Sequence, residues 1–280
     1  MRRRDFLPTV AGLAAAARAA ETVQRKGRLK QCVTRGVFGR NMEFEDMCKE
    51  AARLGCKGFD LVGPKDWPMV KKYGLIPTMY SGPGGTIPDG LNRKENHAAI
   101  LKSLHEGIDL AAANGVPNII TFSGNRRGMP DSEGADNCAI ALNQIKAHAE
   151  EKGVTICMEL LNSKVNHKDY MCDHAAWGVD VCKRVNSPRI KLLYDIYHMQ
   201  IMDGDIARTI RENIQWLGHF HTGGNPGRHE IDDTQELNYR FVAQAIVETG
   251  YTGYFAHEYS PAAGHDPIKS LEAAMQLCDV

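Results

Sequence analysis

Several features that would each point to a particular kind of protein are missing from this sequence. No apolar run reaches the roughly 18 residues needed to cross a bilayer, so no mature membrane span is expected. Basic and acidic residues balance at 34 each, which removes the electrostatic pull towards nucleic acid or an anionic membrane surface. None of the eight cysteines stands in a C-x-x-C pair or at zinc-finger spacing, and a chain of 280 residues needs no disulfide framework to hold its core. Reduced thiols acting as small apolar side chains are expected instead. No G-x-G-x-x-G follows the first candidate strand, which argues against a dinucleotide-binding open sheet. Internal repeats beyond a strand–helix unit, low-complexity stretches and domain linkers are also absent.

Residues 1–25 read as a separate segment. Adjacent arginines are followed by Phe6 and Leu7, a short Ala/Leu-rich run and Ala17-Arg18-Ala19. This is the order of a charged, an apolar and a small-residue region in a secretory signal. The arrangement of Arg3, Arg4, Phe6 and Leu7 resembles a twin-arginine signal, which implies export of the folded protein. Residues 26–280 are taken as the folded domain.

Within that domain, short apolar runs alternate with segments of helical period. RLKQCV, GFDLV, LIPTMY and NIITF are predicted as the first four strands, and TICMELL, IKLLYD, LGHFHT and GYFAHE as the next four. The clearest helix spans 95–114, with Ile100, Leu101, Leu104, Ile108 and Ala111 on one stripe and Asn114-Gly115 as its stop. Further helices are predicted over 136–152 and 205–216. The stretch SGPGGTIPDG at 81–90 is predicted to be an irregular loop beside a strand end, as is 123–134. Eight strands, each followed by a helix, in about 255 residues predict an α/β fold, a single (β/α)8 TIM barrel.

The last four strands carry the chemistry. Each ends on a residue able to hold a divalent ion: Glu159, Asp195, His221 and Glu258. In a closed parallel barrel such strand ends converge. A lone glutamate at a strand end is usually a solvated rim residue, a lone His198 or His219 usually a hydrogen-bonded structural histidine, and a lone Arg228 a surface charge. Four candidates on four successive strands are a different matter. Their mixed oxygen and nitrogen set suits one divalent ion, Mg²⁺, Mn²⁺, Co²⁺ or Zn²⁺, rather than a thiolate-rich structural zinc. His198, three residues after Asp195, and Arg228, in the loop after the His221 strand, are candidate substrate contacts. His257 is expected to face the helices. Glu159 and Glu258 are the candidate acid/base pair for moving a proton next to a carbonyl.

The motifs MELLNSK, YDIYHMQ, HFHTGGNPGRHE, ELNY and GYTGYFAHEYSP resemble the hydroxypyruvate isomerase family. That family is a branch of the xylose isomerase-like barrel superfamily, which also holds D-tagatose 3-epimerase-type enzymes. The resemblance runs from about residue 30 to 275. It implies that Glu159, Asp195, His221 and Glu258 bind one metal ion, that the two glutamates move protons, and that His198 and Arg228 contact a small-molecule substrate. It further implies a metal-dependent isomerase, with hydroxypyruvate and tartronate semialdehyde as the first pair to test and ketose 3-epimerisation as the alternative. A homodimer or homotetramer is also implied. The ligand on the seventh strand can be glutamine in the isomerase branch; here it is His221, as in the epimerase branch.

Overall fold

The apolar runs line up as the staves of a parallel barrel in the computed structural model, which describes residues 23–280. The strand segments are β1 (Lys30–Val33), β2 (Gly58–Phe59), β3 (Ile76–Pro77), β4 (Tyr80–Gly84), β5 (Asn118–Thr121), β6 (Thr155–Glu159), β7 (Ile190–Asp195), β8 (Leu217–Thr222) and β9 (Tyr254–His257). They pair in the order β3-β2-β1-β9-β8-β7-β6-β5-β4, and every pairing is parallel. A bridge between Val62, just beyond β2, and Tyr80 of β4 brings the last segment of this order against the β2 stave, so the wall is nearly closed. Nine segments make eight staves because the third is interrupted at Thr78 and Met79.

Around the wall lie α1 (Phe44–Arg53), α2 (Trp67–Lys72), α3 (Lys94–Ala113), α4 (Asp131–Lys152), α5 (Ala175–Val185), α6 (Ile196–Met202), α7 (Ile206–Asn213), α8 (Tyr239–Glu248) and α9 (Pro267–Leu277). Alternation along each strand divides the apolar side chains into two cores. Met79, Ile120, Cys157 and Leu193 fill the inside of the cylinder. Phe59, Phe220 and Phe255 belong to the larger core, with Leu104, Ile108, Ile246 and Met275 from the helices. Each fully buried side chain of this size contributes roughly 1.5–3 kcal/mol relative to exposure. All eight cysteines are buried and unpaired, as expected of small apolar side chains.

Four local expectations need correction. The third predicted strand is broken in two, and its second half, β4, runs into the Gly/Pro-rich stretch predicted as irregular. Glycine is what allows this: a Cβ at Gly84 would lie 1.9 Å from the carbonyl oxygen of Ile120 on the neighbouring strand. The helix predicted from 136 starts at Asp131, taking over the end of the predicted loop; Asp131 and Glu133 in its first turn suit the positive end of the helix dipole. A helix was predicted over 205–216; α7 ends at Asn213 and a 3₁₀ turn, Ile214–Trp216, completes the stretch. An additional helix, α6, begins directly after β7, where none was predicted.

The segment read as a signal lies almost wholly outside the described residues. Its last residues are packed on the barrel: Val23 N–H donates to Arg53 O at 2.9 Å and Arg25 Nε to Leu54 O at 3.2 Å. Among the described residues no helix is long and apolar enough to cross a membrane.

Candidate metal-binding active site

Strand register brings the four predicted ligands to one point. Glu159 ends β6 and Asp195 ends β7, where it pairs directly with His221 of β8. Glu258 follows the last residue of β9. One donor atom from each of the four lies within 4.8 Å of every other. His221 Nδ1 stands 2.6 Å from Glu258 Oε2, 3.6 Å from Glu159 Oε1 and 3.9 Å from Asp195 Oδ2.

The residues present fit a divalent ion. His221 Nδ1 is buried without a hydrogen-bond partner, inside a ring of carboxylates. Its other nitrogen, Nε2, is 2.8 Å from Asp60 Oδ2. Three carboxylates face one guanidinium, that of Arg228, and a doubly charged cation restores the balance. Burial, the largest influence on His221, works against its charge, but the negative charge of Glu258 and the hydrogen bond to Asp60 outweigh it and hold the ring well above its ordinary pKa.

The two glutamates are pushed apart. Burial, reinforced by the charge of Glu258, raises Glu159 to about 7 against the pull of His221. Burial also disfavours the Glu258 carboxylate, yet Arg228 and His221 overcome it and leave its pKa lowered. One carboxyl group is thus able to take or give a proton near neutrality while the other stays ionised, the division of labour that acid/base pairs require.

His198 and Arg228, the two predicted substrate contacts, lie over the cluster. Asp195 caps α6, its Oδ1 accepting from His198 N–H at 3.0 Å, which leaves Oδ2 for the ion side. Arg228 Nη2 is 2.6 Å from both Asp195 Oδ2 and Glu258 Oε2, and Nη1 is 2.7 Å from His198 Nε2. The double glycine after Thr222 makes this possible. A Cβ at Gly224 would lie 2.0 Å from Glu230 O and one at Gly223 2.9 Å from Arg228 Cγ, so only glycine lets the loop fold back and lay the guanidinium across the mouth. The guanidinium also sits 5.2 Å from the Tyr197 ring centre. Glu258 and Arg228 keep 24% and 23% of their side-chain surface exposed, whereas Asp195 and His221 keep none, so approach is from the Arg228 side. There a cleft of about 330 Å³ opens, lined by Thr34, Arg35, Leu61, Arg228, Glu258 and Tyr259 among others.

Sequence reasoning missed two supports. Asn162, fully buried, places its Nδ2 2.6 Å from His198 Nδ1 while its Oδ1 accepts from Val165 and Asn166 N–H at 3.0 and 2.9 Å. Asp60, just after β2, faces both histidines of β8: His221 as above and His219, whose Nε2 is 3.2 Å from Asp60 Oδ1. A signal for it existed, since H-x-H in a strand puts two histidines on one face and calls for an acid opposite. Cys32, Asp60 and His219 also bring donor atoms within 4.8 Å of one another. Both Asp60 oxygens are already engaged, by Thr78 and His221, and burial raises the Cys32 thiol well above its ordinary pKa, so this lower layer supports the upper one. His257 faces the helices as expected: its Nε2 meets Gln31 Oε1 at 2.9 Å, and Gln31 in turn donates to Met275 O on α9.

A profile of the xylose isomerase-like TIM barrel family matches residues 48–278. The chain belongs to that family. Among its xylose isomerase-like relatives is a 2-oxo-tetronate isomerase of Cupriavidus necator, 35% identical over 46% of this chain and 47% of the relative. A Homo sapiens relative with the provisional name hydroxypyruvate isomerase is 28% identical over 62% of this chain and 64% of its own length. The chain therefore spans about half to two thirds of these relatives. In fold, it is similar to the crystal structure of an AP endonuclease, family 2, from Brucella melitensis, with a TM-score of 0.78 at 23% identity over 87% of this chain and 96% of that one.

Proposed function

We propose that the protein is a metal-dependent isomerase that moves a proton between adjacent carbons of a small hydroxy-carbonyl acid, with hydroxypyruvate to tartronate semialdehyde as the leading pair. The observation that carries this reading is the convergence of Glu159, Asp195, His221 and Glu258 from four strand ends, with one donor atom of each within 4.8 Å of every other. The names of the isomerase relatives support it. Glu159, Asp195, His221 and Glu258 would hold the ion. The chemistry an ion supplies there is polarisation of a carbonyl and its neighbouring hydroxyl, which offsets the charge of an enediolate.

The chain's own groups do the rest. One glutamate removes the proton beside the carbonyl and the other delivers a proton to the adjacent carbon. Asn162 donates to His198 Nδ1, so the neutral ring carries its hydrogen on Nε2. Arg228 Nη1 lies 2.7 Å from His198 Nε2 at the same edge of the site. Both groups can turn a hydrogen to a substrate oxygen at the mouth, and an anionic carboxylate oxygen suits the guanidinium best. Burial, followed by the nearby Arg228 charge, keeps His198 well below its ordinary pKa, so it serves as a neutral donor.

The same apparatus would invert a carbon next to a ketose carbonyl, and the histidine at position 221 favours this epimerase reading as the second one. Both are tested by incubating the protein with Mn²⁺ or Mg²⁺ in D₂O against hydroxypyruvate, 2-oxo-tetronate and a panel of ketoses. Deuterium incorporated beside the carbonyl of a short oxo-acid confirms the first reading; incorporation only into ketoses replaces it with the second. Export through a twin-arginine-type signal at 1–25 and assembly into a homodimer or homotetramer belong to the same proposal, checked by fractionation and by sedimentation.

A further inference from the structure

We propose that Asp60 is the positioning residue that makes His221 a metal ligand, by locking the imidazole with its Nδ1 lone pair turned to the three carboxylates. This rests on the metal-binding reading above and adds a residue that never touches ion or substrate. Asp60 is wholly buried, and its Oδ2 accepts from His221 Nε2–H at 2.8 Å. An imidazole with its hydrogen on Nε2 has its lone pair on Nδ1. That Nδ1 is the atom found buried, unpartnered and 2.6 Å from Glu258 Oε2. The carboxylate itself cannot turn away, because its Oδ1 accepts from the Thr78 hydroxyl and stands 3.2 Å from His219 Nε2. Asp60 and His221 are 161 positions apart, so barrel closure, rather than any local turn, sets the contact. A carboxylate behind a ligating imidazole fixes its tautomer and its orientation and makes it a better donor to the ion.

The test is calorimetric titration of chelator-stripped protein with Mn²⁺, which needs no substrate. The wild type is expected to take up one ion per chain and Asp60→Ala to bind it ~10–100-fold more weakly. Asp60→Asn, whose amide oxygen still accepts from Nε2–H but carries no charge, should fall between the two, and it carries the measurement if the alanine variant does not fold. Leu104→Ala, a core truncation far from the site, controls for loss of stability alone. With Co²⁺ at saturation, the visible spectrum should change in the Asp60 variants and not in Leu104→Ala, since only the former reorient a ligand. Asp60 variants that bind Mn²⁺ within twofold of the wild type, or that weaken no more than Leu104→Ala, overturn the proposal. A wild type that binds no Mn²⁺ overturns the metal-site reading instead, so the two failures are distinguishable.

Discussion

The inner and outer faces of the barrel wall bury histidines in opposite ways. His221 points inward from β8 and His257 outward from β9, and both are completely buried. Among carboxylates, His221 has its pKa held well above the ordinary value despite burial. Between the amide oxygen of Gln31 and the hydroxyl of Thr222, His257 has nothing to stabilise a charge, and burial lowers its pKa to about 3. Depth is therefore not what decides ionisation here; the charge of the partners is. The outer face uses polar groups to fasten strand to helix, and the inner face gathers unbalanced charge that calls for a cation.

Substitutions on the inner face should break function and spare the fold. Glu159→Gln and Glu258→Gln are expected to lower turnover by about 10²–10⁴-fold with little change in the melting temperature of the chelator-stripped protein, measured by initial rates and calorimetry. Proton exchange into substrate that persists undiminished in both variants would remove the acid/base assignment. On the outer face the signs reverse: Phe255→Ala should cost about 3–5 kcal/mol of stability in denaturant titration while Mn²⁺ stoichiometry stays the same in the folded fraction.

Ion binding links the two faces. At 100 times its dissociation constant, an ion that binds only the folded chain adds about 2.7 kcal/mol, so a chelator should lower the melting temperature by that equivalent. Protons on Glu159 and His221 compete with the ion. Because Glu159 titrates at about 7 and His221 is held above its ordinary value, Mn²⁺ affinity should rise with pH through neutrality and fall as pH drops, by up to about tenfold per unit for each proton displaced. Affinity independent of pH between 5 and 8 would contradict the carboxylate-rich site.

His257 gives a smaller effect of its own. Its folded pKa lies below the ordinary value, so the unfolded chain binds the extra proton. The stability this contributes is complete above about 6.5 and is lost as pH falls from there towards about 3. At pH 5 the loss amounts to roughly 2 kcal/mol. His257→Gln should flatten that limb of the stability curve while leaving the pH dependence of Mn²⁺ binding in place.

The convergence of Glu159, Asp195, His221 and Glu258 was legible because each closes a short apolar run, and a barrel turns a one-dimensional spacing into a ring. His198 and Arg228 were legible for the same reason, one helical turn or one loop away from a strand end. Asp60 was not: it also follows an apolar run, but its meaning depends on β2 facing β8 across the cylinder. Asn162 escaped because an asparagine in a loop has many local uses, and here one amide both closes a turn and sets a histidine. The split third stave and the early start of α4 were hidden by proline and glycine, which mark interruptions without saying on which side the strand or helix resumes.

The sealing of all eight thiols has a consequence for the order of events in the protein's life. In the finished barrel no sulfur is presented to an oxidant, and burial holds the most deeply enclosed of them, such as Cys138, protonated and inert. A chain meeting an oxidising compartment before folding would have about a hundred ways to join those sulfurs wrongly. One that folded first would have none within reach.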